Sequence, residues 1–196
     1  LMILNMPIIS VLFQRGAFDA QAAVYTGQAL FFYGMGLWAF SVVRVFVQSF
    51  YALQDSNWPM RAAMISFVVN LIFSLALMYP MKHKGLALAN SLSAVANVFV
   101  LSFVLKGKIG RFLDRSFYSS VSKIVLSSVM MVASIMMIDY LLPWNTGAAF
   151  RTKLIYLVTT IAVGGGVFFL SAYLLKSQEI HSLVNILKKK LVRSPN

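Results

Sequence analysis

Apolar residues in this chain run in blocks too long and too unbroken to be the faces of soluble helices or strands. Five such blocks lie at about 28–52, 61–79, 85–105, 120–142 and 153–175, and about 20 apolar residues carry a helix across a hydrocarbon core of about 30 Å. Residues 1–13, LMILNMPIISVLF, read as the last part of a further span. The ten-residue alternation of a transmembrane β-barrel is not found, so the pattern predicts an all-α fold. The expected architecture is a polytopic α-helical membrane protein with five complete transmembrane helices, part of a sixth and a C-terminal amphipathic helix. The chain divides into a membrane lobe at 1–106, a basic amphipathic linker at 107–119, a pair of spans at 120–175 and a basic amphipathic tail at 176–196.

Composition agrees with the pattern. The chain is 60% hydrophobic and 11% charged with a mean hydropathy of +0.80, against about 45–50% apolar residues in an ordinary soluble domain. Cysteine is absent, which excludes disulfides and thiolate-bound metals and leaves the redox compartment open. The chain starts on Leu without a signal-peptide pattern, and it reads as the C-terminal piece of a larger protein.

Charge adds orientation, because successive spans put alternate loops on opposite sides. One side carries Arg15, Lys82, Lys84, Arg151 and Lys153; the other carries Arg61, Lys106, Lys108, Arg111, Arg115, Lys123, Lys176, Lys188, Lys189, Lys190 and Arg193. The positive-inside rule makes the richer side, and with it the C-terminus, cytoplasmic. A formal charge of +12 fits contact with anionic membrane lipids, and no nucleic-acid motif accompanies it. In SQEIHSLVNILKKKLVR, the residues Ile180, Leu183, Val184, Leu187 and Leu191 share one helical face beside the lysines, the pattern of a helix lying on the membrane. KGKIGRFLDRSF repeats it with Ile109, Phe112 and Leu113. A solvated basic tail that only sets topology is the competing reading.

Polar residues inside the blocks carry the candidate chemistry. Arg44 lies ten residues before Gln54 in the following turn, which puts its Cα about 15 Å deep, near the midplane. A charge there costs at least about 2.5–3.5 kcal/mol on insertion scales, so it is a functional candidate. Ser41, Arg44, Gln48 and Tyr51 recur at helical spacing and form one polar stripe. Asp19, Asp55, Asp114 and Glu179 fall in loops and Asp139 near the outer end of its span, so no acid of this chain lies at the level of Arg44. Its partner is then a backbone carbonyl, water in a cavity, a carboxylate from outside this chain or an anionic substrate, unless Arg44 only stabilises the bundle.

Asn70 and Ser74 lie one turn apart, with Asn90 and Asn97 on the next span. Their oxygens could hold a small hard cation, although interhelical hydrogen bonding is the commoner use of such residues. Gly164, Gly165 and Gly166 allow close approach of a helix or a lipid chain, with flexibility as the competing explanation. Nucleophile motifs and metal-ligand clusters are not found, and His83 and His181 lie in loops. The reading is therefore of a protein that is not an enzyme, with no catalytic residue, metal or cofactor.

Three stretches, LFQRGAFDA at 12–20, VVRVFVQSFYALQDSNWPMRAAM at 42–64 and KGLALANSLSAVANV at 84–98, resemble the MurJ (MviN) family of lipid II flippases. Leu12, Phe13, Gly16 and Phe18 match the family's first turn; Arg44, Phe50, Tyr51, Asp55, Ser56 and Pro59 match its basic span and the hairpin after it. The resemblance implies a fourteen-span transporter of the multidrug, oligosaccharidyl-lipid and polysaccharide exporter superfamily, with this chain as the end of the ninth span and the tenth to fourteenth. It implies alternating-access transfer of lipid II, the undecaprenyl-diphosphate-linked disaccharide-pentapeptide, across the bacterial cytoplasmic (inner) membrane. A cationic cavity, shared with the absent N-terminal lobe, would take the diphosphate, with Arg44, Gln48 and Ser41 as this chain's candidates. A groove at the last two spans, where Gly164, Gly165 and Gly166 lie, would take the polyprenyl tail. Some members hold sodium at positions matched here by Asn70, Ser74, the Leu86 carbonyl and Asn90. Ser74 replaces their aspartate, which removes the charge such a site uses, and sodium, protons and the membrane potential stay open as coupling agents. Another exporter of the superfamily and a non-transporting membrane scaffold are the alternatives.

Overall fold

A computed structural model describes residues 1–13, 20–110, 115–144 and 149–175. They form six α-helices and no strand: α1 (Asn5–Phe13), α2 (Ala20–Ala52), α3 (Asn57–Met81), α4 (His83–Ile109), α5 (Arg115–Leu141) and α6 (Phe150–Leu174). The helices from α2 to α6 are each long and apolar enough to cross a membrane. Prolines fall near helix ends, and those in a first turn forfeit no intrahelical bond. Pro7 and Pro59 lie in first turns, Pro80 in the last turn of α3 and Pro143 just beyond α5. Hydroxyls inside the spans bond to carbonyls of their own helix, as Ser49 does to Val45, Ser127 to Lys123 and Thr160 to Tyr156. A polar side chain is thereby satisfied without a partner outside the helix.

The chain forms two compact units. In the first, α1 packs on α2, while α4 lies along both α2 and α3, which scarcely touch each other. In the first half of α4 the buried residues are all small, Gly85, Ala87, Ala89, Ser91, Ser93 and Ala94, and small residues let helix backbones approach in lipid. A Cβ on Gly85 would collide with the Leu77 carbonyl across the α3–α4 turn, and one on Gly36 of α2 would come within 2.8 Å of the Ser91 Cα. The Ser91 hydroxyl spans that contact by donating to the Phe32 carbonyl at 2.7 Å. Lower in the unit, Phe50, Ala62, Leu101 and Leu105 form a sealed core where the end of α2, the start of α3 and the end of α4 meet.

The second unit is the α5–α6 hairpin. Gly164 is buried against Ile135 and Met131, while a Cβ on Gly165 or Gly166 would meet nothing within 4 Å. The Tyr156 hydroxyl donates to Asp139 at 2.8 Å, and the Trp144 and Tyr156 rings lie 5.2 Å apart. Beside them is a cavity of about 530 Å³ lined by Ile138, Leu142, Trp144, Thr152, Tyr156 and Thr159 among others.

Residues 107–109 continue α4 and residues 115–119 begin α5, so helix ends take up most of the linker expected at 107–119. The amphipathic tail expected at 176–196 lies outside the described residues. The same is true of Gly16 and Phe18 in the first family-like turn.

Candidate functional site

The polar stripe of α2 lies on a face that its own unit leaves uncovered. Ser41, Arg44, Gln48 and Tyr51 are all exposed, and Tyr33 and Leu37 extend the same face towards the start of the helix. The opposite side of α2 holds buried Ala39 and Phe50 and the close approach of Gly36 to α4. The helix therefore buries its apolar side against α4 and turns its charge outward. Ser41 bonds to the Leu37 carbonyl at 3.2 Å. Among the described residues the one ion pair is between Lys108 and Asp55, so Arg44 has no carboxylate partner there. Its planar guanidinium carries five N–H donors, which an anion or water can take up at this exposed position.

The second candidate group comes together between α3 and α4. Ser74 donates to the Asn70 side-chain oxygen at 3.4 Å, and the Asn70 amide donates to the Ser93 hydroxyl at 3.3 Å. Ser93 in turn donates to the Asn90 carbonyl at 2.8 Å, and its own carbonyl accepts from Ser66 at 2.8 Å. Asn70, Ser74 and Asn90 are thus one network with Ser93 at its centre. Leu86 lies one turn before Asn90 with its side chain exposed. In this arrangement the Asn70 amide spans the interface as donor and its oxygen is already engaged. No group of three or more His, Cys, Asp or Glu is found among the described residues.

Of the glycine triplet, Gly164 is used by the helix pair itself, and Gly165 and Gly166 face open space. Sequence reasoning missed Ser66 and Ser93. Ser66 could have been found, since it stands four residues before Asn70 as Ser74 stands four after; Ser93 has no such periodic signal. The Asp139–Tyr156 bond was equally hidden, since the two residues belong to different spans.

The family described as "MurJ: Lipid II flippase MurJ" matches residues 1–182. A "Probable lipid II flippase MurJ" of Rhizobium meliloti is 30% identical over 177 residues, covering 88% of this chain and 33% of that protein. Proteins of the same description from Buchnera aphidicola (subsp. Schizaphis graminum) and Thermotoga maritima are each 28% identical, covering 97% and 94% of this chain and 37% and 35% of their own length. The chain thus spans 33% to 37% of the length of these relatives. A solved structure titled "Lipid II flippase MurJ, inward closed conformation" superposes with a TM-score of 0.69 at 22% identity, over 93% of this chain and 35% of that one. At that identity the likeness speaks for the fold alone.

Proposed function

Because the chain belongs to the MurJ family of lipid II flippases, we propose that it supplies the C-terminal part of a transporter that carries lipid II from the inner to the outer leaflet of the bacterial cytoplasmic membrane by alternating access. The observation that carries this reading is the outward-facing stripe of α2, with Arg44 exposed eight residues before the end of the helix and no acid of the described residues beside it. A diphosphate crosses about 30 Å of hydrocarbon only if something replaces its hydration shell. A basic residue with Ser and Gln neighbours on one helical face supplies charge-assisted hydrogen bonds for that purpose. The remaining spans of a protein of the relatives' length would close the cavity around the stripe and contribute further cations. The apolar tail needs no such shelter, and the open face at Gly165 and Gly166 of α6 suits an acyl chain lying alongside. The excess of Lys and Arg on one side supports a cytoplasmic C-terminus, with the basic residues of the loops against anionic lipids. No bond of the substrate is made or broken, so the work is a shift between inward and outward states.

The test is growth of a flippase-depleted bacterium supplied with the full reading frame that encodes this chain. Complementation is expected, and its failure in protein that is expressed and membrane-inserted contradicts the reading. Arg44→Ala is expected to lower flipping about tenfold or more, the loss of a charge-assisted hydrogen bond. Arg44→Lys retains most activity, and equal, full growth with both removes the charge role assigned to Arg44.

A further inference from the structure

The family-like hairpin after α2 contains an acid that the transport reading does not use. Gln54 holds a left-handed backbone at φ 56°, and this reversal turns Asp55 back towards the helices it connects. The Asp55 N–H donates to the Phe50 carbonyl at 3.0 Å, and its Oδ1 accepts from the Asn57 N–H at 3.2 Å at the start of α3. Its Oδ2 lies 2.5 Å from the Lys108 Nζ in the last turn of α4. One residue therefore meets three helix ends, its backbone N–H the end of α2 and its carboxylate the beginning of α3 and the end of α4. Both charges suit the helix ends they occupy, the acid at the positive end of α3 and the lysine at the negative end of α4. Directly beneath, Phe50, Ala62, Leu101 and Leu105 seal the same three helix ends.

An isolated surface ion pair contributes little, since ordering two long side chains consumes most of the gain. Here the carboxylate is already held by the α3 backbone, so only the lysine is ordered. We propose that Asp55 and Lys108 are a positioning pair, a permanent tie that makes α2, α3 and α4 one rigid body. The stripe, whose Arg44 lies eleven residues before Asp55, then keeps a fixed register against α4 throughout transport. The tie itself is independent of substrate; its role in transport rests on the flippase reading above.

The experiment uses the full reading frame in two readouts. The first is amide hydrogen exchange at Asp55 and Asn57 in the absence of any substrate. Lys108→Met removes the ion pair, and Asp55→Asn removes the charge while keeping a side-chain oxygen to accept from the Asn57 N–H. Each is expected to raise exchange there roughly two- to fivefold, and Lys108→Arg to restore protection. Unchanged exchange in Lys108→Met and Asp55→Asn overturns the tie whatever the protein transports. The second readout joins cysteines placed at positions 55 and 108 with a short bismaleimide, in a background free of other cysteines, and measures flipping of a lipid-linked diphosphate in vesicles. Bridging is expected to preserve or restore flipping relative to the unbridged double variant. A bridged protein that no longer flips overturns the permanent tie, because the pair must then open during the cycle. Flipping by the unaltered protein in the same vesicles tests the transport reading separately.

Discussion

Arg44 and Asp55 are opposite charges on one short stretch, and their surroundings assign them different work. The guanidinium points away from its own unit with no acid of the described residues near it, whereas the carboxylate is held by two helix ends. The Lys108 hydrogen bond holds the Asp55 carboxyl below its usual value of 3.8, against a smaller opposing effect of desolvation. A folded pKa below the unfolded one means that its contribution to stability is fully present above the unfolded value and is lost as pH falls through the folded value. Exchange protection of the α2–α3 loop is therefore expected to stay flat from neutral pH down to about 4 and to drop only below 3.8. Asp55→Asn, measured over the same range, is expected to show no step. Lowered protection already at pH 5 in the unaltered protein would contradict the assignment.

The elements differ in how far they could be read from the chain. All five long helices were legible, because the need for about 20 apolar residues leaves a signal that periodicity does not blur. Their ends were not. The run at 28–52 is a helix from Ala20, since Gln21 and Thr26 are polar without being helix breakers and hydropathy cannot see them continue the ladder. The stripe of α2 was legible because it repeats along one helix. The Ser93-centred network and the Asp55–Lys108 pair join residues 23 and 53 positions apart, and no pattern along one element encodes such contacts. Glycines separate in the same way: Gly85→Ala forces a Cβ onto the Leu77 carbonyl, whereas Gly165→Ala meets nothing. The first is expected to destabilise by about 1–3 kcal/mol, and the second to be neutral or stabilising by up to about 1 kcal/mol. Thermal unfolding in detergent checks both. Asn70→Ala removes the amide that spans α3 and α4 and is expected to cost about 1 kcal/mol. If Asn70 acts as a fastener, that loss is the same in sodium and in choline buffers; a loss confined to sodium would instead assign it to a cation.

On the scale of the whole molecule, the chain is a set of spans with very little to hold in water and a large apolar surface to give to lipid or to other spans. Helix α3 shows this most plainly, with Met64, Phe67, Leu71, Leu75 and Tyr79 exposed along its length. Against that background one exposed face of α2 is polar, which is costly in lipid and useful only if water or an anionic ligand reaches it. The account rests on that face being part of a wet cavity. Its most direct test places single cysteines at Ser41, Gln48 and, as the lipid-side control, Leu71, in the full-length protein without other cysteines. Labelling is then by a membrane-impermeant maleimide, with and without lipid II. Labelling of positions 41 and 48, protection by lipid II and no labelling of position 71 is the predicted result. Positions 41 and 48 as unreactive as position 71 would contradict it.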